Sequence, residues 1–286
     1  MKKLIIVFIT IVFSTAVYAE TSVWKLDGDN GSFYLAGSCH VLRKSDYPLP
    51  EEFEAAYDDA DQVIFESDIE ALMSQEIQLL LLSKGMYTGG DTLEKKLSKK
   101  SYASLVKYCN DRSMSIDLFQ SFKPWMVAMT FLVLELGKNG ITPADGLDMY
   151  FSNKAKKDGK PTGGLEDVYK HIELVSSFEE EFDDSIIESF IQEVEKVQVI
   201  MEDLIKSWRA GDEAEIDEYI SENMRKEFPK LYKKLITDRN RDWIPHLETL
   251  MDSGKRTLVI VGVGHLVGKD SVINLLKSKG YKIKKM

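Results

Sequence analysis

Apolar runs broken by polar, glycine-bearing turns set the frame of this chain. Val23-Trp24-Lys25-Leu26 and Ser32 to Ala36 flank the cluster Asp27-Gly28-Asp29-Asn30-Gly31, the pattern of two strands joined by a tight turn. A helix is expected to start near Pro50, because proline suits a first turn and Glu51 and Glu52 suit its positive end. Asp61 to Glu66 then reads as a short buried strand, and this alternation of strand and helix predicts parallel pairing. Residues 69–136 read as helices, with apolar runs at Ile77 to Leu82 and Trp125 to Met129 between polar turns. Asp148 to Lys157 reads as a helix, Gly159-Lys160-Pro161 as a turn and Thr162 to Glu166 as a brief strand. Amphipathic helices are expected over 168–251. Arg256 to Gly264 is apolar on both faces, the mark of a strand covered on both sides. A helix over Ser271 to Ser278 and an edge strand at Tyr281-Lys282-Ile283 follow.

Strands thus come from both ends and the middle of the chain, with helical stretches between them. The expected fold class is α/β, with a central, mainly parallel sheet and flanking helices. It forms one discontinuous domain over 20–286, with helical lobes at about 69–136 and 168–251.

Residues 1–19 stand apart from this pattern. Lys2 and Lys3 precede the apolar stretch Leu4 to Phe13, and Val17-Tyr18-Ala19 offers small residues before a cleavage point at Glu20. The stretch is short for a membrane span, which needs roughly 20 residues, and Glu20 stands where a lipidated cysteine would be. The expectation is an exported protein, periplasmic or secreted, with no stable membrane anchor. Loss of Lys2 and Lys3 takes the formal charge from −10 to −12, a balance that argues against nucleic acid as a partner. An oxidising compartment permits one disulfide between the two cysteines, Cys39 and Cys109. The oligomeric state is not legible.

Two tetrads of the form Gly-x-x-His, Gly37-Ser38-Cys39-His40 and Gly262-Val263-Gly264-His265, each end an apolar run and hold two of the four histidines. His40, Glu66, Glu166 and His265 all fall at the ends of expected strands, where functional groups collect in open α/β sheets. Two imidazoles with one or two carboxylates make a ligand set for Zn, Mn, Fe or Co. If both runs stay extended, His40 shares a face with Ser38 and Ala36 while Cys39 points away into the core. His265 then shares a face with Val263 and Val261. Against this stands the commoner case of a strand-end histidine that is simply a satisfied polar residue. His171 and His246 lie in polar helical surroundings and read as surface residues. Gly262-Val263-Gly264-His265-Leu266-Val267 misses the third glycine of a dinucleotide turn, which excludes that reading.

The ordered segments Phe33 to Val41, Tyr47-Pro48-Leu49-Pro50, Ala60 to Glu66, Lys123-Pro124-Trp125, Gly146-Leu147-Asp148, Gly164-Leu165-Glu166, Asp238-Arg239-Asn240, Val259 to Gly268 and Gly280-Tyr281 resemble the TraB/GumN family. That family includes pheromone-shutdown proteins and the animal TIKI proteases. The resemblance implies a fold similar to erythromycin-esterase and ChaN-like proteins. It also implies an active centre of His40 and His265 as metal ligands or acid/base groups, with Glu66 as ligand or general base and Glu166 as a further candidate ligand. Arg239 and Asn240 match the family's Arg-Asn pair and would hold a carboxylate or an oxyanion. Lys123, Trp125 and Asp148 would bind substrate. The expected activity is that of a metal-dependent hydrolase, peptidase-like, using Mn, Co or Zn on a peptide or small-molecule substrate. A non-catalytic, peptide-sequestering protein is the alternative, and haem or iron binding a weaker one. The first tetrad departs from the family's usual Thr-Ile with Ser38-Cys39, which keeps the hydroxyl and one apolar residue.

Overall fold

The computed structural model describes residues 21–28, 31–180 and 184–286. The strands are β1 (Val23–Gly28), β2 (Gly31–Ser38), β3 (Gln62–Ser67), β4 (Thr162–Glu166), β5 (Thr257–Gly262) and β6 (Ile283–Lys285). They form one sheet in the order β4-β3-β5-β2-β1-β6. The four strands β4, β3, β5 and β2 run parallel, while β1 pairs antiparallel with both β2 and β6. The expected mainly parallel α/β sheet is therefore present, with the hairpin at one side. Residues 1–19, read above as an export leader, lie outside the described residues. No helix among the described residues is long and apolar enough to cross a membrane.

β5 lies between β3 and β2, and all six of its residues are buried, as its unbroken apolar run requires. The helix Glu51–Asp59 turns Phe53, Ala56 and Tyr57 inward and keeps Glu51, Glu52 and Glu54 in its first turn. The helix Leu147–Asp158 buries Leu147, Phe151 and Ala155, one position per turn, and ends at Gly159 in the left-handed region (φ 68°). Phe151 stacks on Tyr57 at 5.3 Å. A second apolar cluster holds Leu93, Leu105, Tyr108, Cys109, Phe119, Val127 and Phe131 together with Ile187 and Val194. Helices from the two expected lobes thus share one core.

Two local expectations change, and the state of the two cysteines, left open by the sequence, is defined. Both tetrads leave extended geometry before their histidines: β2 ends at Ser38, and Val263–His265 is a 3-10 turn. The apolar pattern runs on through Val263, but β5's parallel partner β2 pairs no further than Ser38 with Gly262. The last strand is Ile283–Lys285, two residues later than expected, and Tyr281 instead packs against the core. Cys39 and Cys109 are free, buried thiols in different apolar clusters, not a disulfide.

Candidate functional site at the carboxyl edge of the sheet

Parallel pairing brings the ends of β2, β3, β4 and β5 to one edge, and with them His40, Glu66, Glu166 and His265. Glu66 sits at the centre. Its Oε1 accepts the Gly262 N–H at 2.6 Å and lies 3.7 Å from both His40 Nε2 and His265 Nε2. The glycine is required here: a Cβ on Gly262 would stand 2.7 Å from His40 Nε2 and 3.1 Å from Glu66 Oε1. A Cβ on Gly37 would meet Val263 Cγ2 at 2.7 Å, so the first glycine of each tetrad lets the two loops close on one another.

Each imidazole is oriented from behind. His40 Nδ1 bonds Asp148 Oδ2 at 2.8 Å, and the Ser38 hydroxyl donates to the same oxygen at 2.5 Å. Asp148 lies in the first turn of Leu147–Asp158, whose Leu147 N–H donates to Cys39 O at 3.1 Å. A carboxylate only accepts, so His40 Nδ1 carries a proton. Chiefly through the Asp148 charge, against the opposing cost of burial, His40 is raised to about 9. Its side chain is 58% exposed, so solvent screens that attraction. His265 is buried, and its Nδ1 faces Asn240 Oδ1 at 2.6 Å while the Asn240 amide nitrogen donates to Asp270 O at 2.8 Å. That orientation makes Nδ1 of His265 the donor and leaves Nε2 a lone pair. Burial, reinforced by Arg239, lowers His265 to about 4, so this ring is neutral.

Arg239 closes the cluster. Its Nη2 donates to Glu66 Oε2 at 2.5 Å and to Glu166 Oε1 at 2.8 Å, its Nε to Glu166 Oε2 at 3.0 Å, and its Nη1 to His265 Nε2 at 3.1 Å and Leu235 O at 3.4 Å. These five bonds use every N–H of the guanidinium. Burial alone would raise the Glu66 carboxyl, but Arg239, the two imidazoles and the Gly262 N–H outweigh it and hold it well below the ordinary range. Glu166 is lowered too: burial opposes, while His171 and Arg239 prevail.

His171, read from sequence as a surface residue, is instead half-buried, with Nδ1 2.7 Å from Glu166 Oε1. Asp167 caps the helix Val168–Ser176 directly after β4, and this sharp return sets His171, one turn in, over Glu166. Ligand atoms of Glu66, Glu166 and His171 all lie within 4.8 Å of one another. His246 is exposed as expected, yet its Nδ1 bonds Leu165 O at 2.8 Å. Lys123 and Trp125 are not joined to the cluster by any described contact. Lys123 pairs with Glu179 at 2.7 Å, and Trp125 is buried with its Nε1 unpartnered. Asp148, expected to bind substrate, is engaged with His40 and Ser38.

His40, His265 and Glu66 carry donor types that bind divalent metals, but among the described residues the group whose ligand atoms all lie within 4.8 Å of one another is Glu66, Glu166 and His171. Two imidazoles with Nδ1 pinned by acceptors present Nε2 toward one carboxylate oxygen, the arrangement that metal-bound histidines use. Paired Gly-x-x-His loops and a buried Glu–Arg pair at the carboxyl edge of a mainly parallel sheet define the class of protein. The chain belongs to the TraB/PrgY/gumN family, which it matches over residues 22–285. It is 21% identical over 248 residues to the uncharacterized protein YbaP of Escherichia coli (strain K12), covering 87% of this chain and 89% of that one. The YbaP of Shigella flexneri matches to the same extent. No solved structure matches, so the expected likeness to esterase and ChaN-like folds rests on resemblance alone.

Proposed function

We propose that the protein is an exported, metal-dependent hydrolase acting on a peptide or other amide. The convergence of His40 Nε2 and His265 Nε2 on Glu66 Oε1, 3.7 Å from each, carries this reading. A divalent Mn, Co or Zn ion held by His40, His265 and Glu66 would polarise a carbonyl and acidify a bound water. The chain's own residues do the rest. Asp148 and Asn240 keep the imidazoles in the tautomer that presents Nε2. Glu66 is held ionised by Arg239 and so is available at neutral pH as ligand or base. His40 gives up a proton on binding an ion, which makes binding weaker as pH falls below its raised pKa.

Elemental analysis of residues 20–286, purified without a histidine tag, tests the reading beside His40→Ala and His265→Ala. Near one equivalent of metal is expected in wild type and almost none in either variant. Turnover of a peptide library in that metal should be lost in both variants. Depletion of a peptide to a fixed ratio without product would replace hydrolysis by sequestration. Absence of metal after incubation with Mn, Co and Zn would end the proposal.

A further inference from the structure

The sheet ends on two edges that differ. At one, β6 is three residues long and carries Lys284 and Lys285, which blunt it against further pairing. At the other, β4 runs Thr162-Gly163-Gly164-Leu165-Glu166 and has no such guard. The phase of its ladder is fixed: Val63 N–H donates to Pro161 O at 2.9 Å, and Val63, Phe65 and Ser67 stand opposite Thr162, Gly164 and Glu166. In parallel pairing this turns the main-chain N–H and C=O of Gly163 and Leu165 toward β3, and those of Thr162, Gly164 and Glu166 outward. Thr162 and Gly164 are exposed, and no hydrogen bond from the described residues reaches the outward groups of these three. Gly163 and Gly164 keep side chains off the strand, so another backbone can come close. Gly164 is needed for a second reason, since a Cβ there would stand 2.7 Å from Asp68 N. Beside the edge lies a groove of about 440 Å³ lined by Ile69, Met73, Met149, Lys156, Pro161 and Thr162. Met73 is 60% exposed, and Lys156 is paired with Glu70 at 3.0 Å, so the groove offers chiefly apolar side chains.

Resting on the reading above only for the ligand being a peptide, we propose that the outer edge of β4 takes an extended peptide segment as a seventh strand of the sheet. Alternating N–H and C=O groups at Thr162, Gly164 and Glu166 recognise its main chain, and alternate apolar side chains enter the groove beside Met73 and Met149. Such an edge selects unfolded or extended segments, because a folded segment has its own amides already paired. The last residue of β4, Glu166, belongs to the cluster at the carboxyl edge, so an added strand runs from the groove to the candidate site. A second copy of this chain is the poorer occupant. A five-residue strand offers it far less contact than the roughly 1,200 Å² or more that a stable interface buries.

Amide hydrogen exchange of residues 20–286 in chelator, read residue by residue by NMR, tests this. The probe is a capped seven-residue peptide that alternates valine with threonine between terminal lysines. Saturating peptide should slow exchange at Thr162 and Gly164 at least about ten-fold and leave Gly163 and Leu165, already bonded to β3, unchanged. Thr162→Pro deletes one outward donor and no bond to β3, a change that an edge strand accepts. It should keep the wild-type melt and bind the peptide about five-fold more weakly or worse, the worth of one hydrogen bond. The fully N-methylated peptide, with the same side chains and no donors, needs no variant and should slow neither amide. No slowing in wild type at millimolar peptide overturns the proposal, as does equal slowing by the N-methylated peptide. Slow exchange at Thr162 and Gly164 in the free protein, growing with protein concentration, would assign the edge to a second copy and overturn it as well. With chelator present throughout, failure of the edge leaves the hydrolase reading standing, and failure to bind metal leaves the edge standing.

Discussion

The glycines of the two tetrads do different work, and alanine separates them. Gly262 has φ −50° and ψ 133°, which any residue adopts, so Gly262→Ala acts through its methyl alone. That methyl would stand 2.7 Å from His40 Nε2, between the imidazole and Glu66. On the proposed metal-dependent reading, the expected outcome is loss of bound metal and activity, with a stability cost of about 1–3 kcal/mol from overpacking. At Gly264 the added methyl meets Ile220 Cγ2 at 2.7 Å, a β-branched methyl that is stiff at χ1, so this variant also costs packing, but its clash lies away from His40 and Glu66. Gly264→Ala should therefore keep its metal. Elemental analysis and melting of the two variants side by side check the contrast. Asp148 is the matching test for His40. Its charge is the main cause of the raised His40 pKa, so Asp148→Asn should bring the metal-free titration of His40 from about 9 down toward 6.5, read by NMR. The sign for stability follows. A raised histidine contributes below its unfolded pKa of about 6.5 and loses that contribution as pH rises through about 9. The variant should show less of this alkaline loss.

Among the helices, the stretch Lys99–Asp111 and the helix Pro124–Gly137 meet over a buried carboxylate, Glu135. Its Oε1 accepts from Tyr108 Oη and Arg112 Nε, both at 2.5 Å, and its Oε2 from Lys138 Nζ at 2.5 Å. Burial would raise this carboxyl, but Lys138, Tyr108 and Arg112 together lower it. A depressed carboxyl stabilises the fold fully above its unfolded value of about 4.5, and the contribution fades as pH falls through the folded value. Glu135→Gln should cost about 2 kcal/mol at pH 7, and the gap to wild type should narrow below pH 4.5 in denaturant unfolding. Local sequence pattern specifies the elements but not this network. Strands β3 and β5 were legible because an apolar run bounded by polar turns admits few other readings. Convergence of His40, Glu66, Glu166 and His265 was legible because parallel strands place their ends together. What escaped was three-dimensional closure. His171 carries the polar helical surroundings of a surface residue, and only the tight turn at Asp167 sets it on Glu166. Full saturation of Arg239 depends on five acceptor atoms on four residues from four separate segments, which no local pattern encodes.

Across the whole molecule, the two cysteines report whether the sheet core and the helical cluster are separate bodies of packing. Cys39, the third residue of the first tetrad, packs among the sheet residues, and Cys109 lies with Leu105, Phe119 and Phe131. Each thiol is buried, and burial pushes Cys39 up to about 12, so at neutral pH it carries almost no thiolate, the reactive form. Cys109 is raised as well, again chiefly by burial. Protein purified without reductant should therefore show no fast thiol reaction with an aromatic disulfide reagent when folded. Once denatured, it should show two reactive thiols. Zero thiols in the denatured, unreduced chain would mean a Cys39–Cys109 bond. Such a bond would have to join two residues that pack in separate apolar clusters. Two reactive thiols are the expected count, and an oxidised pair would overturn the separation of the two clusters.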